Sequence, residues 1–248
     1  MSAPDPGEFY TGLVAELYRP LRSAISDPEP YARFIARYGE PALELGCGDG
    51  DPMLDLVARG LDVEGLDASP DMLDRCRQRA RAAGVAVTLH QQSIQRMDLA
   101  TRYNSIYLAG ATFNLLPDDD TARQALERIR DHLTPEGAAL IPLLVPLVAP
   151  PELVQEQIDE EGSLIRVVTG ASTRDDARRE LRTALRYERT RPDGHTERLD
   201  REWVLHWYPK ATFGALADGS GLEAAAILDV DDPSGREEVF AFILRRRT

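Results

Sequence analysis

Two short segments of the chain combine glycines with carboxylates at a spacing that suits ligand binding. The first is ELGCGDGD at residues 44–51. At a turn between a strand and a helix, its glycines let the chain bend tightly and present bare backbone N–H groups to a ligand. A dinucleotide fingerprint needs a glycine where Asp51 stands, and a phosphate loop needs a lysine, which this segment lacks. Asp49 and Asp51 would also repel a pyrophosphate, so we expect an uncharged or cationic ligand.

The second segment ends in Asp67, about twenty residues further along the chain. A carboxylate at the end of the second strand of a doubly wound sheet accepts hydrogen bonds from both ribose hydroxyls. Together the two segments predict a ligand that carries adenosine but no phosphate, with a cationic part near Glu44 and the glycines. S-adenosylmethionine fits this description, and S-adenosylhomocysteine would be its product.

These residues need a scaffold of alternating strands and helices, which the pattern from residue 41 to 148 predicts. One helix is capped by Ser69, has Pro70 in its first turn and stops at Gly84. Residues 135–137 predict a turn. The apolar continuity of the first, fourth and fifth strands is typical of central positions in a parallel sheet. The predicted strands cover residues 42–47, 61–67, 85–90, 105–110 and 138–145, and the other helices follow residues 52 and 118.

The remainder of the chain adds elements before and after this core. Three extended segments begin near residues 163, 180 and 196, and the last two are joined as a hairpin across residues 192–194. A short helix from Pro209 and two strands follow. We therefore predict an α/β, Rossmann-like, doubly wound fold with a mostly parallel seven-stranded sheet, helices on both faces and an antiparallel flap after strand five. The predicted parts are a helical cover (1–38), a cofactor-binding core (39–150), the flap lining the substrate pocket (151–208) and the final helix and strands (209–248).

The motifs resemble those of a known family. ELGCGDGD followed by GLDASPDML is similar to the glycine-rich motif and the acidic second-strand loop of class I S-adenosylmethionine-dependent methyltransferases. LHQQSIQRMD, YNSIYLAGATFNLL and HLTPEGAAL continue the resemblance in the expected order, over roughly residues 40–148. The flap and the last strands are similar to the small-molecule branch, notably antibiotic amino-sugar N-methyltransferases and related natural-product methyltransferases.

The resemblance implies a role for each matching residue. Glu44 orients the turn, Asp67 holds the ribose, and Met72 lies against the adenine. Relatives often have an acidic residue where Ser93 stands, so its side-chain contact departs from the pattern. Tyr18 matches a tyrosine that closes over the cofactor in some relatives. The full set of expected cofactor contacts is Tyr18, Glu44, Gly46, Cys47, Gly48, Gly50, Asp67, Ala68, Met72, Ser93, Ile94 and Ala109.

The acceptor site is predicted from two further clusters. One lies just past the fourth strand, and the other is an aromatic strand in which His206 is a candidate general base for a hydroxyl acceptor. An amine acceptor would not need that base. The alternative, that both faces of the aromatic strand only pack against the protein, stays open. The predicted acceptor contacts are Thr112, Phe113, Asn114, Trp203, Trp207 and Tyr208.

The composition of the chain restricts the classes of molecule that it could bind. The net charge of −13 and the pI near 4.8 disfavour nucleic acids and anionic membrane surfaces. Two cysteines are too few for a disulfide framework, and the acidic N-terminus is unlike a signal peptide, so we expect a cytoplasmic protein. The spacing of His90, His132 and His195 indicates no metal site. We expect a monomer or a homodimer.

These observations predict an enzyme that transfers a methyl group from S-adenosylmethionine to the nitrogen or oxygen of a small molecule such as a natural-product intermediate. Two alternatives remain. A non-catalytic protein could bind the same cofactor, because methyl transfer requires no invariant catalytic side chain. A nucleotide-dependent oxidoreductase is disfavoured by the missing glycine at residue 51.

Overall fold

The computed structural model describes residues 6–22, 26–148, 153–230 and 237–247. The predicted boundary between core and flap at residues 150 and 151 lies outside these residues, and the division into four parts stays a prediction. The helices are α1 (Pro6–Phe9), α2 (Leu13–Leu21), α3 (Glu29–Tyr38), α4 (Met53–Ala58), α5 (Pro70–Ala83), α6 (Asp119–His132) and α7 (Lys210–Gly219), with short 3₁₀ helices at Ile94–Arg96 and Thr112–Leu115.

Two sheets organise the described residues. The strands of the first are β1 (Ala42–Leu45), β2 (Val63–Asp67), β3 (Leu89–Gln91), β4 (Tyr103–Leu108), β5 (Leu133–Pro146), β10 (Leu222–Val230) and β11 (Glu237–Arg246). Those of the second are β6 (Val154–Ile158), β7 (Leu164–Asp175), β8 (Glu180–Thr190) and β9 (Thr196–His206).

The seven-stranded sheet has the order β10-β11-β5-β4-β1-β2-β3. Its strands pair in parallel from β5 to β3, whereas β11 runs antiparallel to both of its neighbours. In the centre, Leu43 of β1 pairs with Ile106 of β4 on one side and with Glu64 of β2 on the other. Each residue of β1 is buried, as expected for a strand covered on both faces. The predicted fold class is confirmed.

Helices cover both faces of this sheet. Side chains of α6 and α7 pack in one buried cluster, and those of α3, α4 and α5 pack in the other. The predicted limits of α5 are confirmed: the Ser69 hydroxyl accepts a hydrogen bond from the N–H of Met72 at 3.2 Å, and Gly84 ends the helix in a left-handed conformation. Within the described residues, no helix is long and apolar enough to cross a membrane.

Several predicted elements differ from the structure. The third strand is shorter than predicted, covering Leu89–Gln91 instead of 85–90. Residues 135–137 do not form a separate turn, because β5 already begins at Leu133 and accommodates them as an irregularity in its pairing with β4. The N-terminal helical region is broken at Gly12, whose φ of 54° lies in the left-handed region.

The second sheet contains a strand that was not predicted. Its order is β6-β7-β8-β9, all antiparallel, and the hairpin predicted between β8 and β9 is confirmed. The additional strand β6 was missed because VQEQI lies exposed along its whole length, so no alternating apolar pattern marks it. We call β6–β9 the flap. It joins the main sheet through Leu181, Leu205 and Trp207, which pack against Leu144.

Candidate cofactor and substrate site

A pocket opens at the carboxyl ends of β1, β2 and β4, where ligands bind in open α/β sheets. The N-terminal segment and α2 cover one side of it. Nine of the predicted contacts lie in its wall, namely Tyr18, Gly46, Gly48, Asp67, Ala68, Met72, Ser93, Ile94 and Thr112. The wall also contains residues that were not predicted, namely Gly7, Tyr10, Leu66, Gln92, Gln95, Leu115 and Leu116.

The glycine-rich turn forms the floor of the pocket. The backbone of Gly46 has a φ of 70°, and its N–H donates to the carbonyl of Leu66 at 2.7 Å. A Cβ atom at this position would lie 2.5 Å from the Thr112 Cγ2 atom. Thr112 is held in turn by a hydrogen bond from its hydroxyl to the carbonyl of Ala109 at 3.1 Å. Glycine is therefore required here both by conformation and by space.

Asp67 is fixed by backbone N–H groups. Its Oδ2 atom accepts from Gly48 at 2.8 Å and its Oδ1 atom accepts from Ser69 at 2.8 Å. Burial raises the pKa of this carboxyl, and the backbone hydrogen bonds oppose that rise. Each carboxylate oxygen can accept more than one hydrogen bond. The side chain is thus pre-positioned to accept two further donors from the pocket, as the hydroxyls of a ribose would require.

An apolar slot lies beside Asp67. Met72 from α5 and Ile94 from the 3₁₀ helix after β3 are both buried, and both line the pocket with Leu116. Ser93 precedes this 3₁₀ helix, and its hydroxyl makes no capping hydrogen bond. A flat, apolar ring system such as adenine fits this slot, with polar atoms at its rim.

The N-terminal segment closes the pocket from above. The rings of Tyr10 and Tyr18 meet edge to face, with centroids 5.6 Å apart. The Ser69 hydroxyl donates to the carbonyl of Tyr10 at 2.6 Å, and the N–H of Gly12 donates to Asp71 at 2.7 Å. Burial raises the pKa of both phenols, so both stay protonated. Tyr10 was missed because EFYTG lies outside any motif, although an aromatic pair in a glycine-containing segment was a usable signal.

The acidic pair near the turn has a different role from the one predicted. Asp49 forms ion pairs with Arg19 and Arg79, each at 3.3 Å, and Asp51 forms one with Arg22 at 3.1 Å. Both carboxylates are buried. They attach α2 and α5 to the turn, and their charges are compensated by arginines. The pair is thus neutralised within the protein, and the expectation that it selects a cationic ligand stays a prediction.

Glu44 lies buried in the sheet beneath the turn, outside the pocket wall. Its Oε2 atom accepts from the hydroxyl of Tyr107 at 2.8 Å, whereas its Oε1 atom has no hydrogen-bond partner among the described residues. Burial raises the pKa of Glu44 to about 8, although the hydrogen bond from Tyr107 opposes the rise. Near neutral pH this carboxyl is mostly protonated, unless a positive group is bound close to it.

Three other predicted cofactor contacts also lie outside the pocket wall. Cys47 faces Gly65 of β2 in the buried core. Gly50 faces α4 and α5, and a Cβ atom there would lie 2.7 Å from both Leu54 and Cys76. Ala109 reaches the pocket only through its hydrogen bond with Thr112. The structure therefore places these three residues behind the wall.

Among the predicted acceptor contacts, Thr112 alone lines the pocket. Phe113 and Tyr208 are fully buried and meet edge to face in the core. The amide of Asn114 donates to the carbonyls of Leu144 and His206 at 2.9 Å and accepts from the N–H of Leu144 at 3.1 Å. Its hydrogen-bonding capacity is thus used to join β5 and β9, which leaves little for a substrate.

The candidate base His206 is held away from the pocket. Its Nε2 atom lies 3.1 Å from Asp119 of α6, and Asp119 also forms an ion pair with Arg179. Although burial opposes the change, the hydrogen bonds from His206 and Arg179 lower the pKa of Asp119. The structure therefore places His206 in an ion-pair network between the flap and α6, and not beside the cofactor pocket.

The two tryptophans have different surroundings. Trp207 is buried beneath the guanidinium of Arg174, which lies 4.1 Å from the ring centroid. Trp203 lies beside the hydroxyl of Tyr10, and among the described residues no well-formed hydrogen bond is made by its buried indole N–H. Trp203 is not part of the pocket wall and is adjacent to it only through Tyr10, so the interpretation of this strand as a pocket wall stays a prediction.

Solved structures of methyltransferases share this fold. The CcbJ methyltransferase from Streptomyces caelestis is 21% identical, with a TM-score of 0.77, and the match covers 99% of this chain and 100% of that one. CalS10 from Micromonospora echinaspora is an amino pentose methyltransferase solved with bound S-adenosylmethionine. It is 24% identical, with a TM-score of 0.69, and the match covers 94% of this chain and 97% of that one. These matches show that the chain has the Rossmann-like fold of those two enzymes.

The sequence comparisons agree with the fold. Residues 42–137 match the family described as "Methyltransferase domain". This match to a methyltransferase domain confirms the resemblance over that part of the chain. A dTDP-3-amino-3,6-dideoxy-alpha-D-glucopyranose N,N-dimethyltransferase from Streptomyces fradiae is 26% identical over 144 residues, which cover 55% of each chain. The chain spans about half the length of the first curated relatives it matches.

Proposed function

We propose that this protein transfers the methyl group of S-adenosylmethionine to an amine nitrogen of a small molecule. The observation that carries the proposal is the pocket at the end of the parallel strands. There a fixed carboxylate and an apolar slot suit an adenosine, and none of the wall residues that the structure describes is placed to take up a proton.

The ribose, the adenine and the methionine part of the cofactor would each contact a different part of the pocket. Asp67 would accept from the ribose hydroxyls, Met72 and Ile94 would enclose the adenine, and the turn at Gly46 would leave room for the methionine part. The unpaired Oε1 atom of the buried Glu44 fits a ligand that brings a positive charge near the turn. When bound, S-adenosylmethionine supplies an activated methyl group, so the protein's task is to align the acceptor and exclude water.

The choice of nitrogen follows from the residues of the pocket wall. The titratable side chains of the wall are Tyr10, Tyr18 and Asp67. Burial keeps both phenols protonated, and Asp67 is engaged by backbone N–H groups. An amine that already has a free lone pair needs no base to attack, whereas a hydroxyl does. The relatives named above as an N,N-dimethyltransferase and an amino pentose methyltransferase are consistent with this choice.

Calorimetry with S-adenosylhomocysteine tests the cofactor site. Asp67→Ala removes the acceptor for two hydroxyls and is expected to weaken binding by at least about tenfold, since each hydrogen bond to a charged group contributes about 1.5–3 kcal/mol. Asp74→Ala, which removes an exposed carboxylate of α5 that pairs with Arg77, is the matched control. Unchanged affinity in Asp67→Ala that unfolds at the wild-type temperature would contradict the proposed site.

Labelled S-adenosylmethionine then tests the reaction. Matched pools of amino sugars and of the same sugars without the amine are incubated with the enzyme, and the label is followed by mass spectrometry. We expect methylation only in the amine pool. Label that enters the amine-free pool alone would contradict nitrogen as the acceptor, and binding without any transfer across both pools would favour a non-catalytic cofactor-binding protein.

A further inference from the structure

A surface groove, which we call the outer groove, adjoins the cofactor pocket on the side of β3. It shares four residues with the pocket wall, namely Gly7, Ala68, Gln92 and Ser93. Its other walls come from the N-terminal segment, the start of α5 and the region of β3, with the residues Glu8, Thr11, Pro70, Gln91 and Arg96. One layer of residues therefore separates the pocket from a second space, which the proposed function does not use.

The order of the strands directs the base of the cofactor towards the outer groove. The glycine-rich turn follows β1, Asp67 ends β2, and Ser93 comes shortly after β3. β3 lies at one end of the seven-stranded sheet, next to β2. A ligand that extends from the turn past Asp67 into the apolar slot thus runs across the strand ends towards the edge of the sheet. Because the exocyclic amine of adenine is on the side of the ring remote from the ribose, it would point past β3.

Small side chains form much of the layer between the pocket and the outer groove. Gly7 has no side chain, and a Cβ atom there would lie 2.7 Å from the Cβ atom of Ala68. Ser93 is half-buried, and its hydroxyl makes no capping hydrogen bond. Gln92 is fixed, because its Oε1 atom accepts from the N–H of Asp98 at 2.8 Å and its Nε2 atom donates to the carbonyl of Asp98 at 3.3 Å. Ser93 is therefore the position at which a substituent would cross from the pocket into the groove.

The outer groove is wide enough for a short chain and has polar walls. Its volume is about 470 Å³, whereas one water molecule takes up about 30 Å³ of the liquid. The N–H of Gly12 donates to Asp71 at 2.7 Å, which attaches the N-terminal wall to α5. Among the wall residues, the Arg96 guanidinium donates hydrogen bonds, the Glu8 carboxylate accepts them, and the Gln91 amide does both. A short chain that ends in a hydroxyl suits such walls, because a hydroxyl also donates and accepts.

We propose that the outer groove binds a substituent on the exocyclic amine of the cofactor's adenine, so that this protein accepts S-adenosyl ligands with a short polar chain on that nitrogen. The substituted amine keeps one N–H, which the Ser93 hydroxyl can accept where the chain crosses. The inference rests on the proposed function, because it takes the adenosine to lie between Asp67 and the apolar slot. It adds a second binding site and the chemical class of its ligand.

Calorimetry with a substituted ligand tests this inference. S-adenosylhomocysteine and its derivative with a hydroxybutyl chain on the exocyclic amine are titrated separately into the full chain. Gln91→Trp and Arg96→Trp each place a large ring in the outer groove, at exposed positions that do not line the cofactor pocket. Gln155→Trp makes the same change at an exposed position of β6, the edge strand of the flap, and is the matched control for Gln91→Trp.

We expect the wild type to bind the two ligands with affinities within about fivefold of each other. Each groove variant should bind the hydroxybutyl ligand about tenfold more weakly and S-adenosylhomocysteine unchanged, because the new ring overlaps only the chain. Gln155→Trp should bind both ligands like the wild type. A larger difference between the ligands in the wild type, or an equal response of both ligands to the groove variants, would overturn the inference. If the wild type does not bind S-adenosylhomocysteine, the proposed function fails instead.

Discussion

Replacing Gly46 by alanine tests the close approach of Thr112 to Gly46 at the floor of the pocket. The backbone there has a φ of 70°, and the added Cβ atom would lie 2.5 Å from the Thr112 Cγ2 atom. A left-handed conformation costs an L-residue roughly 1–2 kcal/mol. Steric overlap in a packed site typically adds about 1–3 kcal/mol. The expected loss in the free energy of unfolding is therefore roughly 2–5 kcal/mol.

A second substitution separates these two contributions. Thr112→Ser removes the overlapping methyl group but keeps the hydroxyl that donates to Ala109. The next Thr112 atoms, Cβ and Oγ1, would lie at ordinary contact distances of 3.5 and 3.6 Å from the new Cβ. The double variant Gly46→Ala/Thr112→Ser should therefore recover the overlap energy and lose only about 1–2 kcal/mol relative to Thr112→Ser.

Gly84→Ala provides the matched control. Its φ of 69° is nearly the same, but no atom lies within 4 Å of the position that a Cβ would take. Urea unfolding of the five proteins gives the stabilities, and calorimetry gives the affinity for S-adenosylhomocysteine. If Gly46→Ala loses as much in the Thr112→Ser background as alone, within about 0.5 kcal/mol, the assigned contact is wrong.

Three further predictions concern buried polar groups. Asn114→Ala should lower the free energy of unfolding, measured in urea, by about 3–5 kcal/mol, because several buried backbone groups lose their hydrogen-bond partner. An unchanged free energy of unfolding with a raised KM would instead indicate that Asn114 binds the substrate. Burial raises the pKa of Glu44 from an ordinary 4.5 to about 8, so the protonated side chain contributes fully to stability below pH 4.5 and this contribution is lost as the pH rises through about 8. Over that range the free energy of unfolding without ligand should fall as the pH rises, and Glu44→Gln should flatten this dependence. His206→Gln should leave the pH profile of methyl transfer unchanged, since His206 contacts Asp119 outside the pocket, and loss of the limb on the acidic side of the profile would show that it acts as the base.

Preferences of single residues and their neighbours in the sequence predicted the part of the site that the glycine-rich turn and Asp67 form. Ser69 and Pro70 start a helix because a hydroxyl acceptor and a fixed φ suit its first turn, and the glycines of the turn tolerate positive φ values. Such preferences act over a few residues, so they could be interpreted without tertiary structure. They correctly placed Asp67 at the end of its strand, opposite Gly48.

The sequence could not predict which side chains contact one another across the fold. The sequence shows that Trp203 and His206 lie on opposite faces of a strand, but it does not show which face meets the pocket. The compensation of Asp49 by Arg19 depends on how α2 packs, and the two residues lie 30 positions apart. β6 is held by backbone hydrogen bonds to β7, which depend little on side-chain type.

By itself, then, the sequence determined the order of the strands and helices apart from β6, the glycine-rich turn between β1 and α4, and the resemblance to methyltransferases. These follow from backbone preferences and hydrophobic periodicity, which are properties of neighbouring residues. Only the tertiary structure decided that Asn114 and His206 connect elements while Tyr10 covers the pocket. The physical reason is that a polar side chain takes its role from the partners that folding brings to it, and these partners are distant in the chain.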